Sequence, residues 1–397
     1  MAESDDLRRS WKEYWDFATP VYLNHGSFGL TPKAINELRT RYEAVLNRDR
    51  DELFWFSGDA ILENARLAVA SFVNAPSSDL VLADHVTEAL NSVLKSLRFD
   101  AGDEILITDH SYPPYRFLYK EFCRRTGVKL TIAELPFPVK KAEDAVTAIM
   151  AKVTNRTKLA IIDHITSPTA LLLPIADIVR ALKSKGIETF VDGAHGIGQV
   201  PLDMQKIGAA YYASNNHKWL SAPLGSAFLY VRPDCQQEII PAAGSLWSDT
   251  EHKFTERFFW QGTKDPCARL CLPETIRFIG ALHPDGWTGI YRRNHDLALA
   301  ARKLICERLG LEPACPDNMI PCMFSLGLGE LDFGPERNAL APHLRLNGLM
   351  RERFGYGVNC IEWGGQFVLR LTAHLYNSLE DYERAADDLA QVLSTLR

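Results

Sequence analysis

The sequence has no apolar run long enough to cross a membrane. A membrane-spanning helix needs about 20 consecutive, mostly apolar residues, and no such run occurs in this 397-residue chain. The first residues, Met1–Asp6, are acidic and lack the basic and apolar parts of a secretory signal. We therefore expect a protein that does not enter a membrane and that works in the cytoplasm.

The chain also lacks a strong net charge and a cysteine-pair motif. Its formal net charge is −6 and no block of like charge occurs, which disfavours a nucleic-acid-binding protein. The eight cysteines show no CxxC spacing. In a chain of this length that pattern predicts reduced, mostly buried thiols and no disulfide framework.

Two common ligand-binding signatures are missing as well. The segment Gly196-Ile197-Gly198-Gln199 lacks the third glycine of a dinucleotide fingerprint, and no Walker-type phosphate loop occurs. The histidines at 110, 164, 195 and 217 lack the helical spacing of a metal-binding pair. We therefore predict no metal site and no nucleotide-binding loop.

The sequence does contain short apolar runs that alternate with helical patterns. The apolar runs are Leu80–Ala83, Glu104–Thr108, Lys129–Ala133, Leu159–Ile162, Thr189–Val191, Ala210–Ala213 and Ala227–Val231. Buried strands that alternate with helices form mainly parallel sheets. The pattern predicts an α/β fold with a large domain over residues 26–272, built on a mainly parallel seven-stranded sheet.

Both ends of the chain follow a different pattern. Residues 1–20 have helical apolar spacing and break at Pro20, so we predict an N-terminal arm over residues 1–25 that packs with the small domain. After residue 272, long helices at Arg292–Leu309 and Ser378–Leu393 flank irregular strands. This part predicts a smaller C-terminal α+β domain over residues 273–397.

One lysine has an unusual context. Lys218 and Trp219 lie in the polar stretch Ser214–Leu220, which follows one apolar run and precedes another. Lysine prefers water, so a buried lysine needs a counter-charge or a covalent role. Schiff-base formation requires an amine that a low-dielectric pocket keeps partly deprotonated. We interpret Lys218 as the residue that holds pyridoxal phosphate (PLP) as an internal aldimine; an exposed loop lysine is the alternative.

Polar residues follow several of the predicted strands. In open α/β sheets, ligands bind at the carboxyl ends of the strands. Asp192 ends one strand, and a buried aspartate needs a cationic partner such as a pyridinium nitrogen. His195 follows three residues later and is a candidate hydrogen-bond partner for the phenolic oxygen of the cofactor ring.

Three further strand ends complete this candidate site. Thr87 and Glu88 open a predicted helix, where free N–H groups favour a phosphate. Tyr112 follows the second strand and is placed to stack on a pyridine ring. Ser167 belongs to a polar cluster after the fourth strand. Each residue alone fits an ordinary cap or loop, but their combination at one sheet edge predicts a cofactor site.

In combination these motifs resemble the class V aminotransferases, a group of fold-type I PLP enzymes that includes cysteine desulfurases. The matching cofactor motifs are Asp192-Gly193-Ala194-His195, His217-Lys218-Trp219 and Pro223-x-Gly225. An isopenicillin N epimerase-like subgroup is similar at Leu23–Gly29, Thr87-Glu88-Ala89, Gly262-Thr263-x-Asp265 and Leu369–Asn377. The resemblance spans nearly the whole chain and implies the PLP-dependent transferase fold type I.

The resemblance implies a role for each matching residue of the cofactor site. Lys218 would form the aldimine and then move a proton at the substrate Cα. Asp192 would pair with the pyridine nitrogen, and Tyr112 would stack on the ring. The residues that resemble phosphate ligands are Thr87, Asn215 and His217. Thr263 would reach the phosphate of a neighbouring subunit, which implies a homodimer with shared active sites.

The resemblance also implies a small-molecule amino-acid substrate. Arg370 would clamp its α-carboxylate, a task suited to a planar bidentate donor, and Asn24 and His25 would lie over it. We expect the side-chain pocket to be lined partly by Phe28, Trp55, Phe56, Tyr112, Arg116 and Trp260, with Arg116 a candidate for a second carboxylate.

The reaction implied is removal of the Cα proton, followed by epimerisation or by β-elimination with C–S cleavage. Class V transamination and cysteine desulfuration are the alternatives. Desulfurases need a reactive cysteine ahead of the carboxylate-binding arginine. Here Cys322 and Cys360 adjoin apolar residues, so we interpret them, with Cys315, as structural. A non-enzymatic PLP-fold sensor is disfavoured because both Lys218 and Arg370 are present.

Overall fold

The structure contains a seven-stranded sheet, a three-stranded sheet and one pair of short strands. The computed structural model describes residues 11–333 and 342–396. Its strands are β1 (Val21–Tyr22), β2 (Leu80–Ala83), β3 (Glu104–Thr108), β4 (Lys129–Ala133), β5 (Thr157–Asp163), β6 (Glu188–Asp192), β7 (Tyr211–Asn215), β8 (Ala227–Val231), β9 (Met323–Gly329), β10 (Tyr356–Gly357), β11 (Asn359–Trp363) and β12 (Gln366–Thr372).

The α-helices lie between and after these strands. They are α1 (His25–Phe28), α2 (Lys33–Arg48), α3 (Gly58–Phe72), α4 (Val86–Ser96), α5 (Tyr115–Thr126), α6 (Ala142–Ala151), α7 (Ile175–Lys183), α8 (Met204–Ile207), α9 (Phe254–Arg257), α10 (Cys267–Leu270), α11 (Leu272–Ala281), α12 (Gly286–Leu309), α13 (Pro342–Phe354) and α14 (Leu379–Leu393). Among the residues described, no helix combines the length and the apolar character that a bilayer span requires.

The central sheet has seven strands in the spatial order β2-β8-β7-β6-β5-β3-β4. Strands β4, β3, β5, β6 and β7 are mutually parallel, whereas β8 runs antiparallel to β7 and to β2. This confirms the predicted mainly parallel seven-stranded sheet. The parallel strands direct their carboxyl ends to one edge, which is where an open sheet of this type binds ligands.

Both faces of the central sheet are covered. Successive side chains of a strand point to opposite faces, and in β5 Leu159 and Ile161 join one apolar cluster while Ala160 and Ile162 join another. Helices α4 and α5 contribute to the first cluster and α6 and α7 to the second. The inner strands are therefore mostly apolar on both faces, which is why the sequence shows them as short apolar runs.

The smaller C-terminal part contains a three-stranded antiparallel sheet in the order β11-β12-β9. Strand β11 was not predicted. It joins β12 through Gly364 and Gly365, which have φ values of 60° and 77°. Positive φ at both central residues is the conformation that a tight two-residue hairpin turn requires, and glycine adopts it without steric cost.

The N-terminal segment packs against the C-terminal part of the chain. Strand β1 pairs in parallel with β10, and Leu23 accepts a backbone hydrogen bond from Thr372. Trp11 and Trp15 lie in an apolar cluster with Leu375 and other residues. The helix suggested for residues 1–20 is present only at residues 11–12 of the described part, and the chain then turns. Residues 1–10 of the arm predicted over residues 1–25 lie outside the described residues.

Candidate active site

One cavity of about 560 Å³ lies at the carboxyl edge of the central sheet. Side chains that follow β3, β5, β6 and β7 line it, the N-terminus of α4 forms one wall, and β11 and β12 form another. The predicted site residues that line this cavity are Asn24, Thr87, Tyr112, Ser167, Asp192, His195, Asn215, His217, Lys218 and Arg370. The three other predicted residues, Glu88, His25 and Thr263, are not among its lining.

Lys218 presents its amine to this cavity. Burial and then the nearby Arg370 charge lower the pKa of Lys218 to about 8, whereas Asp192 and Asp163 act in the opposite direction. Within the described residues, no carboxylate oxygen lies within 4 Å of Nζ. A large share of Lys218 is therefore the free amine at mildly alkaline pH, and this is the form that attacks a carbonyl.

His195 faces the amine in a defined tautomer. The Trp219 indole N–H lies 3.4 Å from His195 Nδ1 and can only donate, so Nδ1 accepts. Burial and the charges of Lys218 and Arg370 lower the pKa of His195 well below its ordinary value, so the imidazole is neutral. Its single proton then lies on Nε2, 3.3 Å from Lys218 Nζ, where it donates to an unprotonated amine.

Asp192 forms the floor of the cavity at the end of β6. It is 5% exposed, and Oδ1 accepts the backbone N–H of Ala194 at 2.9 Å. Burial raises the pKa of Asp192, while the Ala194 N–H and the Lys218 charge lower it in part. Within the described residues no cation lies within 4 Å of this carboxyl group. It is therefore suited to pair with a cationic atom of a bound molecule.

The N-terminus of α4 points its first turn at the cavity. His85 caps the helix, with Nδ1 accepting the Glu88 N–H at 3.0 Å, and Asn215 Oδ1 accepts the Val86 N–H at 3.0 Å. Thr87 and His217 line the cavity beside them. Because the Val86 and Glu88 N–H groups are already bonded, this helix N-terminus favours an anion through its dipole and its remaining N–H groups.

The Glu88 carboxylate turns away from this anion position. It accepts from Lys264 Nζ at 2.9 Å and from the Asp84 N–H at 2.7 Å. Lys264 also binds Asp84 at 3.0 Å. Glu88 therefore ties the first turn of α4 to the segment that carries Thr263, and it offers no side-chain donor to a phosphate.

Arg370 is a buried cation without a counter-charge. The residue is 2% exposed, and Nη1 donates to the Ser167 carbonyl at 2.6 Å while Nη2 donates to Ser27 Oγ at 2.9 Å. Its Nε has no hydrogen-bond partner, and no carboxylate among the described residues lies within 4 Å. Burial lowers the pKa of Arg370 to about 10. An unpaired guanidinium at a cavity wall is a ready-made site for a carboxylate.

Asn24 and His25 are adjacent in the sequence, but only Asn24 lines the cavity. Asn24 lines the cavity, and its Oδ1 accepts from Ser27 Oγ at 2.6 Å. His25 is fully buried behind the lysine: Nε2 lies 3.0 Å from the Lys218 carbonyl, and Nδ1 lies 2.8 Å from the Tyr376 hydroxyl. His25 therefore does not lie over the substrate position, where it was expected. Its imidazole instead contacts the backbone of Lys218.

The remaining predicted residues divide between the cavity and the surface. Tyr112 lines the cavity at 39% exposure and packs edge-on against Tyr115 at 5.3 Å. Thr263 is exposed and lies outside the cavity of its own chain. Of the residues expected around a substrate side chain, Phe28 and Tyr112 line the cavity, whereas Trp55, Phe56, Arg116 and Trp260 do not.

Several lining residues were missed by the sequence reasoning. They include Ser27, His85 and Tyr115. His85 gave no signal because histidine is not a preferred N-cap residue. Ser27 lies inside the quoted motif Leu23–Gly29, but its role depends on a contact with Arg370, which is 343 positions away. Sequence spacing does not show a contact of that kind.

Comparison with known proteins places the chain in a family. The family model described as Aminotransferase class-V matches residues 30–310. Isopenicillin N epimerase from Streptomyces clavuligerus is 32% identical over 388 residues, with 94% of each chain covered. A probable chloroplastic L-cysteine desulfhydrase from Arabidopsis thaliana is 29% identical over 397 residues, covering 94% of this chain and 82% of that protein.

The fold agrees with that relationship. An apo structure of the cysteine desulfurase from Thermococcus onnurineus superposes with a TM-score of 0.77 at 21% identity, covering 100% of this chain and 99% of that one. This likeness confirms the predicted fold class. Since the family model covers more than half of the chain, the protein belongs to the class-V aminotransferase family.

Proposed function

We propose that this protein is a PLP-dependent enzyme that removes the Cα proton of an amino acid, with epimerisation or β-elimination as the outcome. The observation that carries the proposal is the placement of the Lys218 amine in one cavity with an unpaired Arg370 guanidinium and a buried Asp192 carboxyl group. Family membership and the matching motifs support it.

The residues present fit PLP at each part of the molecule. Asp192, buried and without a cation within 4 Å, suits the ring nitrogen; the N-terminus of α4 suits the phosphate; and Tyr112 suits the ring face. The other residues that would hold the cofactor are Thr87, Ser167, His195, Asn215 and His217. When bound, PLP supplies an electron-withdrawing ring that acidifies the Cα–H bond of the amino acid attached to it.

The side chains of this protein would perform the remaining tasks. Arg370 would bind the α-carboxylate through its two terminal nitrogens and so orient the Cα–H bond. Lys218 would take up the Cα proton as a neutral amine, a state that burial and Arg370 favour. His25 would hold the lysine backbone so that Nζ stays in reach of that proton.

The cysteines favour these outcomes over desulfuration. Cys360 lines the cavity, but burial raises its pKa to about 12, so its thiol is not a nucleophile at neutral pH. Burial likewise raises the pKa of Cys315 to about 12 and that of Cys322 still further. All eight cysteines are free, which supports our proposal of a reducing, cytoplasmic location that cell fractionation would test.

We also propose a homodimer in which Thr263 completes the phosphate site of the partner subunit. Thr263 is exposed on its own chain, and Trp260 lies three residues before it. Trp55 is 70% exposed and stacks on Trp260 at 6.2 Å, and Phe56 is 77% exposed. An exposed apolar patch of this kind is typical of an interaction surface.

Loss of the lysine amine should abolish both cofactor attachment and proton exchange. The PLP-loaded protein should show a visible absorbance band and should exchange Cα protons of its substrate for deuterium in deuterated water, whereas Lys218→Ala should do neither. A panel of amino acids, read for Cα deuterium, keto acid and released thiol or sulfide, separates epimerisation, transamination and elimination.

The matched control for this test is Lys206→Ala, whose side chain is 85% exposed. This variant should retain the visible band and the exchange. If the wild-type protein stays colourless with added PLP, or if Lys218→Ala still exchanges Cα deuterium at the wild-type rate, the proposed function is wrong.

Removal of the Arg370 charge should weaken recognition of the α-carboxylate. We expect Arg370→Gln to raise KM for the amino acid by at least about 30-fold, because a buried charged pair contributes about 2–5 kcal/mol. Steady-state kinetics measure the change. Arg98→Gln, at a side chain that is 90% exposed, serves as the control. An unchanged KM in Arg370→Gln would place the carboxylate elsewhere.

Removal of the Thr263 hydroxyl should weaken PLP binding even though this residue lies outside the cavity of its own chain. We expect Thr263→Val to raise the Kd for PLP by about tenfold, since a hydrogen bond to a charged group contributes about 1.5–3 kcal/mol. Thr147→Val, on the exposed face of α6, should leave the Kd unchanged. A monomeric mass in solution together with an unchanged Kd would refute the shared site.

A further inference from the structure

A second buried carboxyl group lies beside Asp192. Asp163 ends β5 and Asp192 ends β6, and the two are register partners in the parallel pair. Neighbouring strands lie about 4.8 Å apart, so the two side chains leave the sheet at the same level. They are 4% and 5% exposed. The predicted site included only Asp192.

The surroundings of the two carboxyl groups differ. Asp192 lines the cavity and accepts the Ala194 N–H, whereas Asp163 does not line the cavity. The polar groups that face Asp163 are Asp192, Ser111, Lys218, Tyr115 and Tyr119. Within the described residues, no cation lies within 4 Å of Asp163. The Tyr119 hydroxyl, which is near Asp163, is buried and has no hydrogen-bond partner among the described residues.

Two adjacent buried carboxyl groups do not both ionise, because each charge opposes the other and burial opposes both. Burial and then the Asp192 charge raise the pKa of Asp163 well above its ordinary value. Lys218 lowers the pKa of both groups, and Ser111 lowers that of Asp163 in part. The Asp192 pKa is also raised by burial, but the Ala194 N–H and the Tyr115 hydroxyl stabilise its charged form. The negative charge of the pair is therefore more stable on Asp192.

We propose that Asp163 is a positioning residue that carries the proton of this carboxyl pair, so that the single negative charge stays on Asp192 at the floor of the cavity. The consequence reaches the lysine. An ionised Asp163 would stabilise the ammonium form of Lys218, whereas a protonated one withdraws that contribution and so lowers the Lys218 pKa. This last step rests on the proposed function; the protonation of Asp163 does not.

The test uses the full-length, cofactor-free protein and the variant Asp163→Asn. If the folded protein holds a proton that the unfolded chain releases above about pH 4, wild-type stability falls as pH rises until the folded pKa is passed. Asparagine does not titrate, so at this position the stability of the variant does not depend on pH. We expect the difference in Tm, variant minus wild type, to be more positive at pH 8 than at pH 5 by at least about 2 °C.

A matched control is Asp103→Asn, at an aspartate that is also 4% exposed and accepts the Asp100 N–H. Its Tm difference should not become more positive with pH. A Tm difference for Asp163→Asn that stays the same between pH 5 and pH 8 would show that Asp163 is already ionised at pH 5, and it would overturn the proposal.

A measurement on the wild-type protein keeps the test valid if Asp163→Asn does not fold. The infrared spectrum of the cofactor-free protein at pH 7 should contain the C=O stretch of a protonated carboxylic acid, and its absence would overturn the proposal.

A further measurement uses the PLP-bound Asp163→Asn variant. It should keep the visible band, and the pKa at which that band titrates should stay within about 0.3 unit of the wild-type value, since one neutral group replaces another. Loss of the band in the wild type itself would instead count against the proposed function.

Discussion

The burial of a lysine amine near a guanidinium and a carboxyl group is the constraint on which the site depends. Ionisable groups strongly prefer water, and each one taken into a protein interior loses solvation free energy. Here Lys218 responds by a lowered pKa, Asp192 by a raised pKa and Arg370 by a lowered pKa. Each shift reflects burial that opposes the charged form, although Arg370, with a pKa of about 10, stays cationic at neutral pH. A ligand can supply the missing opposite charges.

A bound amino acid with PLP would supply those charges. Its carboxylate matches Arg370, and the cofactor's ring nitrogen matches Asp192. Before binding, the unpaired groups reduce stability, a trade-off that is common at active sites. The same groups orient the reacting atoms once the ligand is present, so their cost in the empty protein is linked to catalysis.

The central sheet explains how distant residues meet in one cavity. Its parallel strands β3, β5, β6 and β7 end at one edge, and each contributes a short polar segment there. Strand β12 adds Arg370 from the C-terminal part, and the segment after β1 adds Asn24 and Ser27. Ser27 and Ser167 both accept hydrogen bonds from Arg370, so one guanidinium joins the N-terminal segment, the central sheet and the C-terminal sheet.

Much of the fold was predictable because buried parallel strands leave a plain sequence signal. All seven strands of the central sheet match predicted apolar runs. Strand β11 was missed because the sequence of Asn359–Trp363 alternates weakly, although Gly364-Gly365 after it is a hairpin signal. The local sequence shows which residue types end a strand, and that was enough to predict Asp192 and Lys218 as site residues.

Features that depend on contacts between distant residues were not predictable. The sequence does not show that His25 turns behind Lys218, because its partners Tyr376 and the Lys218 carbonyl are remote in the chain. It does not show the tautomer of His195, which the Trp219 N–H determines. The pairing of Asp163 with Asp192 depends on strand order and register, and neither is written in the local sequence.

The pH dependence of cofactor uptake tests the central claim most directly. Cofactor-free protein is mixed with PLP, and the rate at which the visible band grows is measured from pH 6 to pH 10. Lysine acetylated at Nα, which keeps its side-chain amine free, is measured in parallel to correct for the ionisation of PLP. Because burial and Arg370 lower the Lys218 pKa to about 8, the corrected rate should rise and level off near that pH. A rate that climbs without a plateau up to pH 10, as expected for an ordinary lysine, would contradict the account.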